Sequence, residues 1–226
     1  RSEALVAEDP SELDAELNSG ARVSTRFSGN MDGIEIVKFS QFDDEIALNG
    51  SGDMTVYGGD GDDTLSRNQP NDGTGRGVLF GEGGNDTMRL IVNGELYGGK
   101  GDDEMVVRAS GQDHKIDGQN GDDFIEVGRM EGTVRGGKGY DTLSISYTRT
   151  TASQVEINLT TGVINTPGDI NGIEATGVNA FEQVIGSDGR RDVITGRDNT
   201  AEKLLGRGGN DLLQGLDGDE ELIGGD

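Results

Sequence analysis

The sequence predicts an all-β fold in which short strands stack as repeated turns. The prediction depends on a unit that recurs along the chain, G-G-x-G-x-D-x-U, where U is apolar. It is clearest as YGGDGDDTL at 57–65, FGEGGNDTM at 80–88 and YGGKGDDEM at 97–105, with two further copies at 118–125 and 136–143. The glycines favour a tight loop, and the apolar residue favours a short strand with one inward side chain. Because one unit cannot bury that side chain alone, the units are expected to stack.

Composition supports this reading and leaves one alternative open. Apolar residues make up 31% of the chain and aromatic residues 4%, too few for a thick sandwich or a helical core. The 40 glycines and the net charge of −24 would by themselves be typical of a disordered acidic chain. A bound cation reconciles the two interpretations, because glycine loops turn carbonyl oxygens toward an acid, and oxygen ligands select calcium. We therefore expect a partly disordered state without calcium.

The unit resembles the nonapeptide of the RTX family, the hemolysin-type calcium-binding repeat proteins. The resemblance implies a right-handed parallel β-roll or β-helix solenoid, with calcium between loops roughly 18 residues apart. Taken as the sixth position of successive loops, the acids of this chain have intervals of 19, 23, 17, 20 and 18 residues. These acids are Asp44, Asp63, Asp86, Asp103, Asp123 and Asp141. The intervening half-turns lack an acid at the sixth position, so calcium is expected mainly along one edge.

The resemblance also implies a set of metal ligands. In the family, an ion takes positions two, four and six of one loop and positions one, three and six of the next. Carried over by position, the residues of the first repeats are Asp44; Gly58, Gly59, Asp60, Gly61 and Asp63; Gly81, Glu82, Gly83, Gly84 and Asp86; Gly98, Gly99, Lys100, Gly101 and Asp103; Gly118, Gln119, Asn120, Gly121 and Asp123; and Gly136, Lys138 and Asp141. Those of the later repeats are Asp188, Asp192, Gly206, Gly208 and Asp211. Lysine at position three is compatible because only its carbonyl would bind, and the acids at position five, Asp62, Asp102 and Asp122, are expected to face solvent.

The chain is predicted to begin with an acidic segment followed by a first block of repeats. In residues 1–19, the capping pattern around Pro10 predicts a short helix covering the first turn, with a solvated linker as the alternative. Residues 20–148 form the first calcium-binding block, starting with a degenerate repeat around Asp44. A surface loop predicted over 66–77 explains the longest interval between acids.

Residues 149–226 are predicted to contain spacer strands and a second, partial block. Alternating segments at 144–147, 154–159 and 162–165 predict longer strands without acidic loops. In the later block, Asp192 is expected to pair with Asp211, although an extra arginine disturbs the spacing of its loop. A second pair is expected between Asp198 or Asn199 and Glu220.

Other chemistries find little support in the sequence. His114 is the only histidine and there is no cysteine, so neither a zinc cluster nor a histidine-based catalytic site is expected. Two phosphate-loop-like patterns, at 94–100 and 132–138, lack the following serine or threonine and coincide with the repeats. The acidic charge argues against nucleic acid as a partner. We therefore expect a protein segment that is not an enzyme.

Three aromatic residues stand directly before the first glycine of successive units. Tyr57, Phe80 and Tyr97 are expected either to pack on one another or to form an exposed stripe. A stripe would suit an acidic polysaccharide if basic residues lay beside it, a role known for repeat modules of epimerases and lyases. The basic residues considered are Arg89, Lys100, Arg108 and Arg135.

These observations predict a calcium-binding structural segment of a larger secreted or cell-surface protein, such as an adhesin, toxin or extracellular enzyme. The resemblance implies type I secretion, with the chain unfolded where calcium is scarce and folded after export. The absence of cysteine is compatible with that location, and no apolar run reaches transmembrane length. The chain begins at Arg1 and stops within a Gly-Gly-Asp unit, which suggests an excised piece of the parent protein. The alternative function is a carbohydrate-binding repeat module of a polysaccharide-modifying enzyme.

Overall fold

Two long β-sheets make up the part of the chain that the structure, a computed structural model, describes. That part comprises residues 26–30, 36–49, 52–68, 75–108, 113–128, 130–145, 154–166, 173–177 and 180–226. It contains 21 strands, numbered along the chain, and no α-helix. The helix predicted near Pro10 lies outside the described residues.

The first sheet has ten strands, and each pairs in parallel with its neighbours. In spatial order these strands are β1 (Arg26–Asn30), β3 (Glu45–Asn49), β5 (Thr64–Arg67), β7 (Thr87–Leu90), β9 (Glu104–Val107), β11 (Phe124–Val127), β13 (Thr142–Ile145), β17 (Gln183–Ile185), β19 (Lys203–Leu205) and β21 (Glu221–Ile223).

The second sheet has eleven strands. In spatial order these are β2 (Ile36–Lys38), β4 (Met54–Asp60), β6 (Gly77–Gly83), β8 (Gly94–Lys100), β10 (His114–Asn120), β12 (Met130–Lys138), β16 (Ile173–Thr176), β15 (Val163–Asn165), β14 (Gln154–Asn158), β18 (Arg191–Thr195) and β20 (Leu212–Gln214). From β1 to β13 the chain alternates between the two sheets, so each turn adds one strand to both. This arrangement confirms the predicted parallel β-solenoid; its right-handed coil stays a prediction.

The core consists of apolar side chains that repeat at one position per turn. In the first sheet, the residue two positions after each acid lies in register with its counterparts on neighbouring strands, for example Leu65, Met88 and Met105. These three side chains are fully buried. A matching row from the second sheet includes Leu79 and Leu96, at most 1% exposed. Burial of each such side chain stabilises the fold by about 1.5–3 kcal/mol, so the apolar residue of the unit fixes the strand register.

The predicted spacer belongs to a three-stranded antiparallel meander, β14 to β16, inserted into the second sheet. Strands β14 and β15 pair antiparallel, as do β15 and β16. Strand β16 then pairs in parallel with β12, and β14 pairs in parallel with β18. The predicted strands at 154–159 and 162–165 are thus present, and they pair antiparallel with each other within an otherwise parallel solenoid. Both sheets pass continuously through the spacer into the later repeats.

Both ends of the loop predicted over 66–77 belong to strands, so the loop is shorter than predicted. Ser66 and Arg67 belong to β5, and Gly77 already begins β6. Arg67 is fully buried and donates from Nη2 to the carbonyl oxygen of Gly52 at 3.0 Å. Residues 69–74 lie outside the described residues.

Candidate functional site

The six acids predicted at the sixth position form one continuous row at the loop edge of the first sheet. They are at most 3% exposed, and we call them the inner row: Asp44, Asp63, Asp86, Asp103, Asp123 and Asp141. The backbone N–H of each of the first five acids donates to Oδ1 of the acid on the next turn. This bond measures 2.8 Å from Asp63 to Asp86 and from Asp86 to Asp103. The remaining links measure 2.8–3.0 Å, so the acids have the predicted register.

The other carboxylate oxygen has no hydrogen-bond partner in most of this row. Among the described residues, Oδ2 is buried and unpaired in five acids of the inner row and in one acid of the later repeats: Asp63, Asp86, Asp103, Asp123, Asp141 and Asp211. Buried polar atoms in proteins almost always have a partner. A row of buried, unpaired carboxylate oxygens therefore favours an electropositive partner.

The first glycine of each unit leaves room beside that oxygen. A Cβ added to Gly81 would lie 2.1 Å from Oδ2 of Asp86 and 2.5 Å from the carbonyl oxygen of Gly98. One turn further, a Cβ on Gly98 would lie 2.2 Å from Oδ2 of Asp103 and 2.6 Å from the carbonyl oxygen of Gly118. Glycine is therefore required at position one for space. A carboxylate oxygen of one loop and a carbonyl oxygen of the next face a common small volume.

Burial makes the charged form of these acids unfavourable. Burial, together with a smaller effect of neighbouring carboxylates, raises the pKa of Asp63, Asp103 and Asp123 to about 7. Burial likewise raises the pKa of Asp86 and Asp141 to about 6. The backbone N–H bound to Oδ1 lowers each pKa but does not offset burial. At neutral pH the inner row therefore favours an added positive charge, either a proton or a cation.

At position three of the loops, the side chains point to solvent and the backbone carbonyl faces a neighbouring loop. This arrangement is the one that makes lysine compatible with that position. The side chains of Lys100, Asn120 and Lys138 are exposed, as is that of Asp60. The backbone carbonyls of Lys100, Asn120 and Lys138 face the preceding loop: that of Lys100 accepts the N–H of Gly84 at 2.9 Å. A carbonyl oxygen has two lone pairs, so this oxygen keeps one for a further ligand.

The loops fall into two kinds, distinguished by position two, the residue after the first position of each loop. In seven loops this residue has a left-handed backbone, with φ from 67° to 134°: Gly59, Glu82, Gly99, Gln119, Gly137, Arg207 and Leu216. Every one of these loops ends in an acid with a buried, unpaired oxygen: Asp63, Asp86, Asp103, Asp123, Asp141, Asp211 and Glu220. We call these the open loops.

In three other loops, position two turns both its backbone N–H and its side chain onto the acid. Ser40 donates to Oδ2 of Asp44 from its N–H at 3.0 Å and from its hydroxyl at 2.8 Å. Ser187 donates from its N–H to Oδ2 of Asp192 at 2.7 Å and from its hydroxyl to Oδ1 at 2.9 Å. Together with the loop of Arg197, these are the closed loops.

Arg197 closes the third of these loops with a charged side chain. Its Nε donates to Oε1 of Glu202 at 2.8 Å, and its N–H donates to Oε2 at 3.4 Å. Its Nη2 donates to the carbonyl oxygen of Phe181 at 3.0 Å and lies 3.5 Å from Oε1 of Glu182. The Glu202 side chain is fully buried. One guanidinium thus contacts two carboxylates on successive turns.

Glutamates continue the inner row beyond Asp141, and two of them, Glu182 and Glu202, were not predicted from the sequence. The N–H of Asp141 donates to Oε2 of Glu182 at 2.9 Å. The register of β17, β19 and β21 then places Glu182, Glu202 and Glu220 on successive turns. Glu202 therefore opposes Glu220, whereas the sequence predicted Asp198 or Asn199. A signal was present, because each of these glutamates precedes a strand residue by the acid-x-apolar spacing of the unit.

The later repeats place a second pair of acids at the other sheet. Asp192 donates its N–H to Oδ1 of Asp211 at 2.8 Å, so the two acids lie together as predicted. Burial raises the pKa of Asp192 to about 6. The side chain of Asp188 is 85% exposed, with Oδ1 3.9 Å from a guanidinium nitrogen of Arg207.

The position-five residues form an exposed outer row with the opposite hydrogen-bond direction. Asp62, Asp102 and Asp122 are exposed, as predicted. The N–H of Asp122 donates to Oδ1 of Asp102 at 2.8 Å, toward the preceding turn. Asn85 donates to Asp62 in the same direction at 2.7 Å. The two adjacent acids of one loop therefore make comparable backbone bonds, and only the inner acid has a buried, unpaired oxygen.

The three aromatic rings pack on one another. The ring centroids of Tyr57 and Phe80 lie 4.8 Å apart and those of Phe80 and Tyr97 lie 4.7 Å apart, with interplanar angles of 5° and 8°. Lys38 lies over the Tyr57 ring at 5.1 Å, and Lys115 lies over the Tyr97 ring at 4.6 Å. The ring faces are thus covered by other rings and by lysine ammonium groups.

The basic residues predicted beside these rings do not form one stripe. Arg89 belongs to β7 of the first sheet, whereas the rings are on the second sheet. Arg108 directly follows β9, also of the first sheet, and forms an ion pair with Glu126 at 2.8 Å. Arg135 shares the row of Tyr97 in the second sheet, two strands away.

The remaining motifs are part of the solenoid framework. His114 is 2% exposed, and its Nδ1 accepts the N–H of Gly94 at 3.4 Å. Burial lowers the pKa of this imidazole. The phosphate-loop-like pattern beginning at Gly94 is strand β8 itself, so it forms no loop before a helix.

Comparisons with protein-family models, curated proteins and solved structures found no match. Among the residues that the structure describes, no helix has the length and apolar character needed to span a bilayer. In the same residues, no three acidic, histidine or cysteine side chains are grouped as a metal site. An ion at the inner row would therefore depend on backbone carbonyl oxygens as well as carboxylates. The fold and the acid row define a parallel β-solenoid with a buried carboxylate edge.

Proposed function

We propose that this chain is a calcium-binding solenoid segment whose loops take calcium ions along the inner row. The observation that carries the proposal is the set of buried, unpaired carboxylate oxygens, one on each open loop. A cation beside these oxygens would supply their missing partner. It would also offset part of the net charge of −24.

Calcium suits these loops better than other common metal ions. The available donors are carboxylate and backbone carbonyl oxygens, which favour a hard cation. Calcium accepts six to eight oxygen ligands in flexible arrangements, whereas magnesium requires a strict octahedron and loses water reluctantly. The acids that would hold calcium are those of the open loops, and position-one carbonyls such as that of Gly98 face the same volume.

Calcium binding would be coupled to folding. Without a cation, the inner row brings acids together whose pKa values are raised to about 6 or 7, mainly by burial. Their ionised forms oppose stacking of the turns at neutral pH. Calcium would bind the stacked form and not the extended chain, so binding energy would become folding energy.

The coupling fits a structural or adhesive role in a secreted protein, of which this chain would be a segment. Weak sites of this kind suit the millimolar calcium of extracellular fluids. The chain would stay largely unfolded during export and fold outside the cell. The motif resemblance to the RTX family supports this setting, and the chain has no cysteine for disulfides. The alternative, a polysaccharide-binding module, lacks support because the aromatic faces are already covered.

A calcium titration tests the proposal. Circular dichroism of the chelated protein should gain strand signal as calcium rises from micromolar to millimolar concentrations. Magnesium at the same concentrations should produce little change. An identical β-sheet spectrum before and after thorough chelation would refute the coupling, and the absence of calcium binding by calorimetry would refute the proposed function itself.

A further inference from the structure

We propose that the closed loops do not take calcium, and that Arg197 acts there as a built-in cation for two successive glutamates. This inference rests on the proposed function, because it states which of the repeated loops bind the ion. It sets Asp44 and Asp192 apart from the acids of the open loops, although the family pattern assigns metal to both kinds. The solenoid would thus contain calcium-dependent turns and self-sufficient turns.

The serine loops satisfy the oxygen that is unpaired in the open loops. Both carboxylate oxygens of Asp192 accept hydrogen bonds from Ser187. The same position in the loop of Asp103 is Gly99, with φ of 129°, and Oδ2 of Asp103 is unpaired. A buried carboxylate that already has two donors gains less from a cation, because the ion would have to displace those donors.

The arginine loop supplies charge as well as donors. Glu182 and Glu202 occupy neighbouring turns, where two buried carboxylates would repel each other. Arg197 contacts both glutamates, and a bond between a guanidinium and a carboxylate is stronger than one between neutral groups. The space beside the first glycine is otherwise like that of an open loop. A Cβ on Gly196 would lie 2.9 Å from both Oε2 of Glu202 and the carbonyl oxygen of Gly215.

Loop length separates the two kinds in the later repeats. The closed loops at 186–192 and 196–202 span seven residues, whereas the open loop at 206–211 spans six. Arg207 stands at position two of that open loop with φ of 68°, and Oδ2 of Asp211 remains unpaired. An arginine at position two is therefore insufficient. The extra residue accompanies closure in these two loops, whereas the closed loop of Asp44 spans six residues, 39–44.

A pair of aspartate variants tests whether the closed loops take metal. Asp192→Asn should leave the calcium stoichiometry of the full chain unchanged, because Ser187 already satisfies Asp192. Asp211→Asn, its hydrogen-bonded neighbour in an open loop, should lower the stoichiometry by about one ion. Equal losses from both variants, measured by calorimetry, would overturn the proposal. A wild-type chain that binds no calcium would instead refute the proposed function and leave the chelator experiment below to decide the role of Arg197.

A set of arginine variants tests the built-in cation. In chelator, Arg197→Gln should speed amide exchange in β17 and β19 about tenfold or more, through loss of a charged hydrogen bond. Arg207→Gln is the matched control and should leave these rates unchanged, whereas Arg197→Lys should retain part of the protection. With calcium, Arg197→Ala should bind about one ion more than the wild type, a gain that a purely structural residue would not produce. Unchanged exchange in Arg197→Gln, or unchanged stoichiometry in a folded Arg197→Ala, would overturn the role of Arg197.

Discussion

The open loops of the first block and the closed loops of the later repeats differ in the hydrogen bonds that they make to a buried carboxylate. Both place a carboxylate at the start of a strand and both bury it. In the first block the loop of Asp103 leaves one oxygen unpaired. In the later repeats Asp192 and Glu202 have their donors within their own loops. The comparison teaches that the backbone at position two decides whether the buried carboxylate keeps an unpaired oxygen. We propose that this difference decides whether the turn depends on an ion.

The largest effect is expected from removing an inner acid of an open loop. Asp103→Ala should lower the calcium stoichiometry by about two, because the family pattern makes a central acid a ligand of two ions. Asp102→Ala is the matched control, since Asp102 also accepts one backbone N–H but is exposed. It should lose no ion and change affinity only slightly, through long-range charge. If calorimetry gave equal losses for the two variants, the inner row would not be the calcium edge.

The inner and outer rows could largely be predicted from the sequence, because the spacing of the repeat determines the position of both. The spacing of Asp103 and Met105 predicted an inward apolar residue two positions after the acid, and Met105 is fully buried. The register of the six acids and the exposure of Asp62 were also predicted correctly. These features depend on local spacing alone.

The features that the sequence did not predict depend on contacts made by folding. Glu202 was missed because its loop, 196–202, has one extra residue, so the acid does not stand at the expected sixth position. The closure of Asp192 by Ser187 depends on the backbone path of a loop with one extra residue. The antiparallel pairing of β14 and β15 depends on which strands meet across the spacer.

A second prediction concerns pH in the absence of calcium. The pKa values of Asp63, Asp103 and Asp123 are raised to about 7, mainly by burial, from the ordinary aspartate value of 3.8. An acid whose folded pKa exceeds its unfolded value stabilises the fold when protonated, and this stability is lost as pH rises through the folded pKa. The chelated protein should therefore resist urea better at pH 5 than at pH 8.

Calcium should reverse that pH dependence, because protons compete with the ion for the same carboxylates. Urea midpoints followed by circular dichroism at both pH values, with calcium and with chelator, check the prediction. Greater stability of the chelated protein at pH 8 than at pH 5 would contradict the buried-acid account of the inner row.

A third prediction, with the smallest effect, uses the same substitution at position two of both kinds of loop. Gln119 has φ of 81°, a conformation that costs a side-chain-bearing residue about 1 kcal/mol. Gln119→Gly should therefore stabilise the calcium-bound protein by about 0.5–1 kcal/mol. Ser187→Gly should destabilise it by about 1 kcal/mol, because the hydroxyl bond to Asp192 is lost. Urea denaturation at saturating calcium measures the stability change of each variant. If both variants changed stability in the same direction, position two would not distinguish open loops from closed loops.

The positions of the bound ions test the central claim most directly. Crystals grown in millimolar calcium, with anomalous scattering recorded for the ion, would locate each site. We expect peaks beside the unpaired oxygens of the open loops, including those of Asp86 and Asp103. We expect no peak between Ser187 and Asp192 or between Arg197 and Glu202. Peaks at the closed loops, or an inner row without calcium, would contradict the account.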